Sequence, residues 1–346
     1  MILVRFRQLV DCVPAATMKP TRGPRVYVVV PYYDVAIAKL QRHPRAKVIL
    51  PHDSAKEDFL QETTIVLVRS ETAINAAMIR DAHPGLEAII KQGAGVDNID
   101  IAAARRKGIQ VWNTPGLNGE AVAELTITLA MCVARRTCEF DRLIRNGEKV
   151  VRSQMLGKSL FRKTVGIVGM GNIGLELAKK WHGAMGGKVV AFDPYSKDAA
   201  WSQELPTGSF QRVEELEELL NVADVVSLHV PLTPSTTYLI SHRQFGQMKE
   251  GAMLINCARG GIVDELALLK ALSSGHLYGA GLDAMQYEPP TAFAYGEALL
   301  NHSRVVMTPH VGASTAENQE RSGLAAVDIA YALLDGDVEN VPRPLV

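Results

Sequence analysis

Long apolar runs, an excess of charge of either sign, repeats and clustered cysteines are all missing from this chain. No apolar stretch approaches the roughly 18 residues that a bilayer-spanning helix needs, so no membrane association is expected. The opening Met1–Arg7 is too interrupted by Arg5 and Arg7 to form a signal-peptide core. Lys plus Arg number 37 and so do Asp plus Glu. That balance speaks against nucleic acid as a partner, because affinity for a phosphate backbone needs a basic excess. The local basic clusters, Arg105-Arg106-Lys107 and Arg135-Arg136, fall inside helical patterns and read as solvated faces. Cys12, Cys132, Cys138 and Cys257 show no C-x-x-C spacing and no histidine at metal-ligand distance. They read as reduced thiols of a cytoplasmic protein, with no disulfide framework and no metal site. Asp97, Asn98 and Asp100 could suggest a cation cluster, but capping of the following helix is the better reading. There is no repeat of 20–50 residues and no low-complexity tract.

What is present is a chain of 346 residues, 47% apolar, long enough for about two domains. Strand and helix patterns alternate throughout, which predicts an α/β fold with parallel sheets covered on both faces. Strands are expected at Val26–Val30, Val48–Leu50, Ile65–Val68, Ala88–Ile90 and Ile109–Trp112. Later ones are expected at Val189–Phe192, Val225–Val230, Met253–Ile255, Gly279–Leu282 and Val305–Thr308. Helices fit Val35–Arg42, Ile101–Lys107, Val213–Leu220, Glu265–Ser273 and Ala316–Leu334, with one long helix from about Glu120 to Asn146. Residues 1–24, with Pro14, Pro20, Gly23 and Pro24, look like a loose extension.

Between residues 164 and 174 an apolar strand, Thr-Val-Gly-Ile-Val, runs into Gly169-Met-Gly171-Asn-Ile-Gly174. A helix-compatible segment follows, and about twenty residues on stands Asp193, at the end of another apolar run. Gly169 would permit the tight turn, Gly171 the approach of a pyrophosphate, and Gly174 close helix–strand packing. The diphosphate would rest on the free N–H groups at the helix start. Asp193 would accept from ribose hydroxyls and repel a 2′-phosphate, so the expected cofactor is NAD rather than NADP. Two parallel-sheet units with one such fingerprint suggest a cofactor domain and a substrate domain, with a cleft between them.

Hydride transfer from a bound dinucleotide needs an acceptor carbonyl, a proton donor and, where the acceptor is an acid, a cation for its carboxylate. Arg259 follows a buried strand, and its guanidinium can hold a carboxylate bidentately and polarise the carbonyl beside it. His310 follows the strand ending Val-Val-Met-Thr, and imidazole exchanges protons near neutral pH. Glu288 could pair with His310, favouring imidazolium and fixing its tautomer. His229, inside a strand, reads instead as a satisfied core group.

These residues sit in a series of segments: Gly93-Ala-Gly-Val-Asp-Asn-Ile-Asp100, Asn113-Thr-Pro-Gly-Leu-Asn118, Ile255-Asn-Cys-Ala-Arg-Gly-Gly-Ile-Val-Asp264, Gly281-Leu-Asp283, Glu288-Pro-Pro290 and Thr308-Pro-His-Val-Gly-Ala-Ser-Thr315. From about Arg69 to Thr315, and in this order, the chain resembles the D-isomer-specific 2-hydroxyacid dehydrogenase family. The resemblance implies a catalytic Arg259, Glu288 and His310. It implies substrate binding by Arg259 and Arg69 and by the N–H groups of Ala94 and Gly95. Asn172, Ile173, Asp193, the turn Cys257-Ala258-Arg259, Asp283, His310 and Gly312 would line the cofactor beside Gly169, Gly171 and Gly174. It also implies two Rossmann-like domains, of which the flavodoxin-like substrate domain is discontinuous. That domain would comprise residues 25–119 and 312–346, around an NAD domain at 120–311. The crossings would fall near Gly116–Glu124 and Thr308–Gly312, and two copies would pair through the cofactor domain.

Within the family the segments look most like D-3-phosphoglycerate dehydrogenases, where the arginine matching Arg69 helps hold the phosphate end of the substrate. Arg162, Val150 and Met285 depart from the residues usual at their positions, which puts the phosphate surround in question but leaves the three catalytic positions intact. The regulatory domain of longer phosphoglycerate dehydrogenases is not expected after the last helix, nor is direct serine feedback through it. A hydroxypyruvate or glyoxylate reductase on the same scaffold is the alternative. A dinucleotide-sensing binding protein, similar to the C-terminal-binding corepressors, is the alternative of another class.

Overall fold

A computed structural model describes residues 24–53, 63–196 and 199–346. The N-terminal extension, apart from Pro24, and Cys12 lie outside them. The chain divides into two compact units, Met1–Thr114 with Glu320–Val346, and Pro115–Gln319. The crossings suggested by the family resemblance fall a few residues inside the second unit.

In the first unit the elements are β1 (Arg25–Val28), α1 (Asp34–Gln41), β2 (Lys47–Ile49), β3 (Ile65–Val68), α2 (Ala76–Asp81), β4 (Ala88–Lys91), α3 (Ile101–Lys107) and β5 (Gln110–Asn113). Its five strands are parallel in the order β2-β1-β3-β4-β5, the flavodoxin-like winding. Alternation along β1 shows how both faces are covered. Val26 and Val28 pack on one side with Leu40, Ala326 and Ile329, whereas Tyr27 and Val29 pack on the other with Ile79, Ala103 and Val111. Each such aliphatic side chain taken out of water stabilises the fold by ~1.5–3 kcal/mol. Asp100 caps α3 by accepting from the Ala103 N–H at 2.8 Å, the capping role expected for it. Lys107 is more than a solvated charge: its Nζ donates to the carbonyls of Ile79, Arg80 and Ala82, closing the C-terminus of α2.

The second unit contains α4 (Gly119–Arg135), α5 (Thr137–Arg145), β6 (Val165–Val168), α6 (Asn172–Lys180), β7 (Val189–Phe192), α7 (Ala199–Glu204), β8 (Phe210–Val213), α8 (Leu216–Val222), β9 (Val225–Leu228), α9 (His242–Gln247), β10 (Met253–Asn256), α10 (Glu265–Ser273), β11 (Gly279–Leu282), α11 (Ala292–Leu300) and β12 (Val305–Met307). The last helix, α12 (Ala316–Asp335), starts here and continues into the first unit. The seven strands run parallel in the order β12-β11-β10-β9-β6-β7-β8. Winding reverses between β6 and β9, so a crevice opens at their carboxyl ends, where open α/β sheets bind ligands. Val165 and Ile167 of β6 pack with α4 and the fully buried Trp181 and Trp201, while Val226 and Leu228 of β9 face the layer of α8, α9 and α10.

Three readings of the sequence are corrected. The long helix expected over Glu120–Asn146 is two helices, because Arg136 takes a left-handed conformation at φ 57°. Its guanidinium grips Glu139 bidentately at 2.6 and 2.7 Å, and the two side chains are only 9% and 11% exposed, so Arg136, unlike the exposed Arg135, is no solvated charge. A helix terminus usually announces itself with glycine or asparagine at the left-handed position, and here it carries arginine. The helix expected from Val213 begins at Leu216, after β8, an edge strand whose Gln211 and Arg212 give no apolar signal. No helix among the described residues is long and apolar enough to cross a membrane.

Candidate active site

Every polar group expected at the reaction centre of the second unit stands just past a carboxyl end of its sheet. After β6, Gly169 turns the chain at φ 106°, and a Cβ there would lie 2.5 Å from the His229 carbonyl oxygen. At Gly174 a Cβ would come within 2.3 Å of the Gly169 carbonyl oxygen, so α6 can approach β6 only without a side chain. At Gly171 a Cβ would meet nothing within 4 Å: the loop opens there. Asn172 and Ile173 form the first turn of α6, where free N–H groups and the helix dipole favour an anion. Asp193 follows β7, and its carboxylate accepts from the N–H groups of Met170, Tyr195 and Ser196 at 2.9, 2.9 and 3.1 Å. The acid is therefore fixed against the glycine loop.

Four further loops build the second part of the site. Past β10, the Asn256 side chain donates to the carbonyls of Arg259 and Ala284 at 2.9 and 3.1 Å and accepts from the Ala258 N–H at 3.1 Å. This buried amide ties the arginine turn to the loop after β11. Cys257 is buried close to Thr126, and desolvation pushes its thiol up to about 12, so it is a neutral lining group. Past β11, buried Asp283 accepts from Thr308 Oγ1 at 2.6 Å and from the N–H groups of Val311 and Gly312 at 2.8 and 2.9 Å. It thereby fixes the loop that carries His310. His310 itself is a non-glycine residue at φ 55°, a conformation that costs of order 1 kcal/mol and persists where its surroundings over-determine it.

His310 Nδ1 meets the Glu288 carboxylate at 2.9 and 3.2 Å. The hydrogen bond and charge of Glu288 raise the histidine above its ordinary value, against burial and the nearby Arg259. Glu288 is held below the usual carboxylate range: burial pushes it up, but His310, the Met285 N–H and Arg259 together outweigh that. Arg259, whose Nη1 donates to the Ala258 carbonyl at 2.7 Å, thus acts electrostatically on both members of the pair. Structure brings these three residues together at one edge of one sheet.

Arg69, Ala94 and Gly95 belong to the first unit. The loop after β4 bends at Gly93, at φ 117°, and the Ala94 carbonyl accepts from Asn113 at 2.7 Å. The N–H groups of Ala94 and Gly95 donate to no other group among the described residues. Arg69 donates to the Pro31 carbonyl at 3.0 Å and pairs with Glu71 at 3.2 Å. Lys91, not singled out from the sequence, is buried at the end of β4, and its Nζ donates to Ser70 Oγ and the Gln92 carbonyl at 2.9 and 3.1 Å. A lysine closing the apolar run Ala-Ile-Ile was the available signal. His229 is satisfied only in part: Nε2 meets Ser227 at 2.8 Å, Nδ1 has no hydrogen-bond partner, and burial pushes the ring down to about 3, which keeps it neutral.

A parallel sheet with a glycine fingerprint and an acid one strand over defines a dinucleotide-binding α/β unit. Comparison with known proteins places it further. The family model described as D-isomer specific 2-hydroxyacid dehydrogenase, NAD binding domain, matches residues 127–312. D-3-phosphoglycerate dehydrogenase of Pongo abelii is 40% identical over 84% of this chain and 53% of its own length. Hydroxypyruvate reductase of Thermotoga maritima is 40% identical over 78% of this chain and 84% of its own. Among solved structures, a protein of Thermus thermophilus aligns with a TM-score of 0.80 at 37% identity, covering 93% of this chain and 100% of that one. The chain belongs to the D-isomer-specific 2-hydroxyacid dehydrogenase family, and its second unit carries the family's NAD-binding domain. It spans about half the length of the phosphoglycerate dehydrogenase relative, 53%. The open face at Gly171, the bare first turn of α6 and the anchored Asp193 fit NAD.

Proposed function

We propose that this protein is a cytoplasmic, NAD-dependent D-2-hydroxyacid dehydrogenase. It would interconvert a D-2-hydroxy acid and its 2-keto acid, with 3-phosphoglycerate and 3-phosphohydroxypyruvate as the leading pair. The observation that carries this reading is the Glu288–His310 contact at 2.9 Å, with Arg259 acting on both partners, on the sheet that bears the glycine fingerprint. NAD, when bound, supplies or accepts the hydride. The rest is done by side chains. With Nδ1 turned to Glu288, His310 presents Nε2 as the atom that gives a proton to the ketone oxygen in reduction and takes it back in oxidation. Arg259 holds the carboxylate and polarises the carbonyl next to it. By resemblance to the family, the first unit would contribute the N–H groups of Ala94 and Gly95 and the guanidinium of Arg69 to substrate binding.

One observation favours a second reading. Arg69 is already paired with Glu71, which weakens its call on a phosphate and suits hydroxypyruvate or glyoxylate as substrate. Homodimerisation through the cofactor-binding unit belongs to the proposal too, and light scattering reads it.

A panel of keto and hydroxy acids with NADH/NAD and NADPH/NADP side by side tests the whole reading. We expect turnover with the NAD pair, D-specific product, and a preference for phosphorylated substrate. Comparable turnover of glycerate and 3-phosphoglycerate would leave the hydroxypyruvate reductase reading standing. NADH binding without turnover of any keto acid would leave only a dinucleotide-sensing protein.

A further inference from the structure

The Glu288 carboxylate can serve His310 only if the loop Ala284–Glu288 holds its shape, and that loop is held from behind. Each residue from Ala284 to Tyr287 has at least one backbone group with a fixed partner. The Ala284 carbonyl accepts from Asn256, and the Met285 N–H donates to Glu288 itself at 2.9 Å. The Gln286 N–H donates to Glu265 Oε1 at 2.9 Å. The Tyr295 hydroxyl accepts from the Tyr287 N–H at 2.5 Å and donates to the Tyr287 carbonyl at 3.2 Å. Glu265 is the unusual member of this set. It opens α10 just after its Asp264 cap, is only 6% exposed, and its Oε2 has no hydrogen-bond partner. Burying a carboxylate costs several kcal/mol unless it is well paired. A cavity of about 290 Å³, lined by Glu265, Tyr238, Gln286, Tyr287 and Tyr295, lies on this side of the loop. Packing therefore does not block the loop from relaxing this way; the hydrogen bonds do.

We infer that Glu265 is a positioning residue, which holds the Gln286 N–H and through it keeps the Glu288 carboxylate against His310. This rests on the acid–base role given above to Glu288 and His310. Around His310 the ionisable groups are Glu288, Arg259 and Asp283; around Glu265 they are Tyr295, Glu288 and Asp264. If Glu265 is truncated, the loop slackens into the cavity, Glu288 loosens its grip, and Arg259 and burial pull the histidine down.

The experiment titrates His310 directly by NMR in histidine-labelled protein without cofactor, with its resonance assigned through His310→Gln. Glu288→Gln should lower the His310 midpoint by about one pH unit. Glu265→Ala should lower it in the same direction by about half a unit or more, with NADH affinity changed less than about twofold. Glu265→Gln keeps an acceptor for the Gln286 N–H and should restore the midpoint. Should the alanine variant fail to fold, Glu265→Asp, one methylene shorter, should give an intermediate shift. A Glu265→Ala or Glu265→Asp midpoint equal to wild type, while Glu288→Gln moves it, would show that Glu265 merely supports the fold. If Glu288→Gln also leaves it unmoved, the acid–base pairing and the inference fall together.

Discussion

Two regions at the carboxyl edge of the second sheet solve different problems with different materials. The glycine loop from Gly169 to Gly174 is made of backbone: its chemistry is N–H groups, a helix end and missing side chains. The cluster of Arg259, Glu288 and His310 is made of side chains brought from three loops, and buried Asn256 and Asp283 tie those loops together. A backbone site is intolerant of bulk and indifferent to protons. A side-chain site of this kind adds a sensitivity that the backbone site lacks, since a proton changes its function. Mutations and pH should therefore separate binding from chemistry.

The largest separation is expected at His310. His310→Ala should lower kcat by about two to four orders of magnitude, while NADH binding measured by fluorescence stays near wild type. The residue contributes a proton, and the surfaces expected to hold adenosine and diphosphate lie at the glycine loop and Asp193. Unaltered turnover would remove His310 from the mechanism.

The reverse case is Gly169→Ala. A Cβ would stand 2.5 Å from the His229 carbonyl oxygen, at a φ of 106° that other residues rarely adopt. We expect a loss of stability of about 1–3 kcal/mol by denaturant melts and at least a tenfold weaker NADH affinity, roughly 1.4 kcal/mol. The His310 titration should not move. Wild-type NADH affinity in this variant would mean that the cofactor does not use this turn.

The same contrast governs what could be read before any coordinates. The fingerprint is legible because its parts are neighbours: three glycines within six residues, the strand before them, and an acid one strand later. Most strands were legible too, since buried parallel strands are short apolar runs bounded by polar turns. Arg259, Glu288 and His310 are individually ordinary: strand-end position and side-chain chemistry made them candidates, and resemblance to a family joined them into one site. Asp283 looked like a cofactor-lining acid, yet both its oxygens go to the Thr308–Gly312 segment, a partnership no local pattern carries. Glu265 read as the first residue of a helix and nothing more. Arg136 hid a helix break because an ion pair with Glu139 replaced the usual glycine.

The smallest effect is a displacement along the pH axis. Glu288 raises the pKa of His310, so imidazolium persists above the ordinary histidine value near 6.5. Keto-acid reduction requires that imidazolium. Its kcat/KM should hold level as pH rises through 6.5 and fall only beyond the raised value, while hydroxy-acid oxidation, which needs the neutral ring, should climb over the same interval. Stability follows the same sign. The part due to His310 is complete below its unfolded pKa and is lost as pH rises through the raised folded one. The part due to Glu288, whose pKa is depressed, is complete above its unfolded value near 4.5 and is lost as pH falls through the depressed one. The pair therefore stabilises best between the two ordinary values, and by a modest amount, since both side chains keep about a third of their surface in water. NADH affinity across the same range should stay flat, because the groups that hold it are backbone and a carboxylate already anchored by three N–H donors. If NADH affinity instead tracks the kcat/KM limb, proton and cofactor are coupled at one site, and the division between a backbone region and a side-chain region fails.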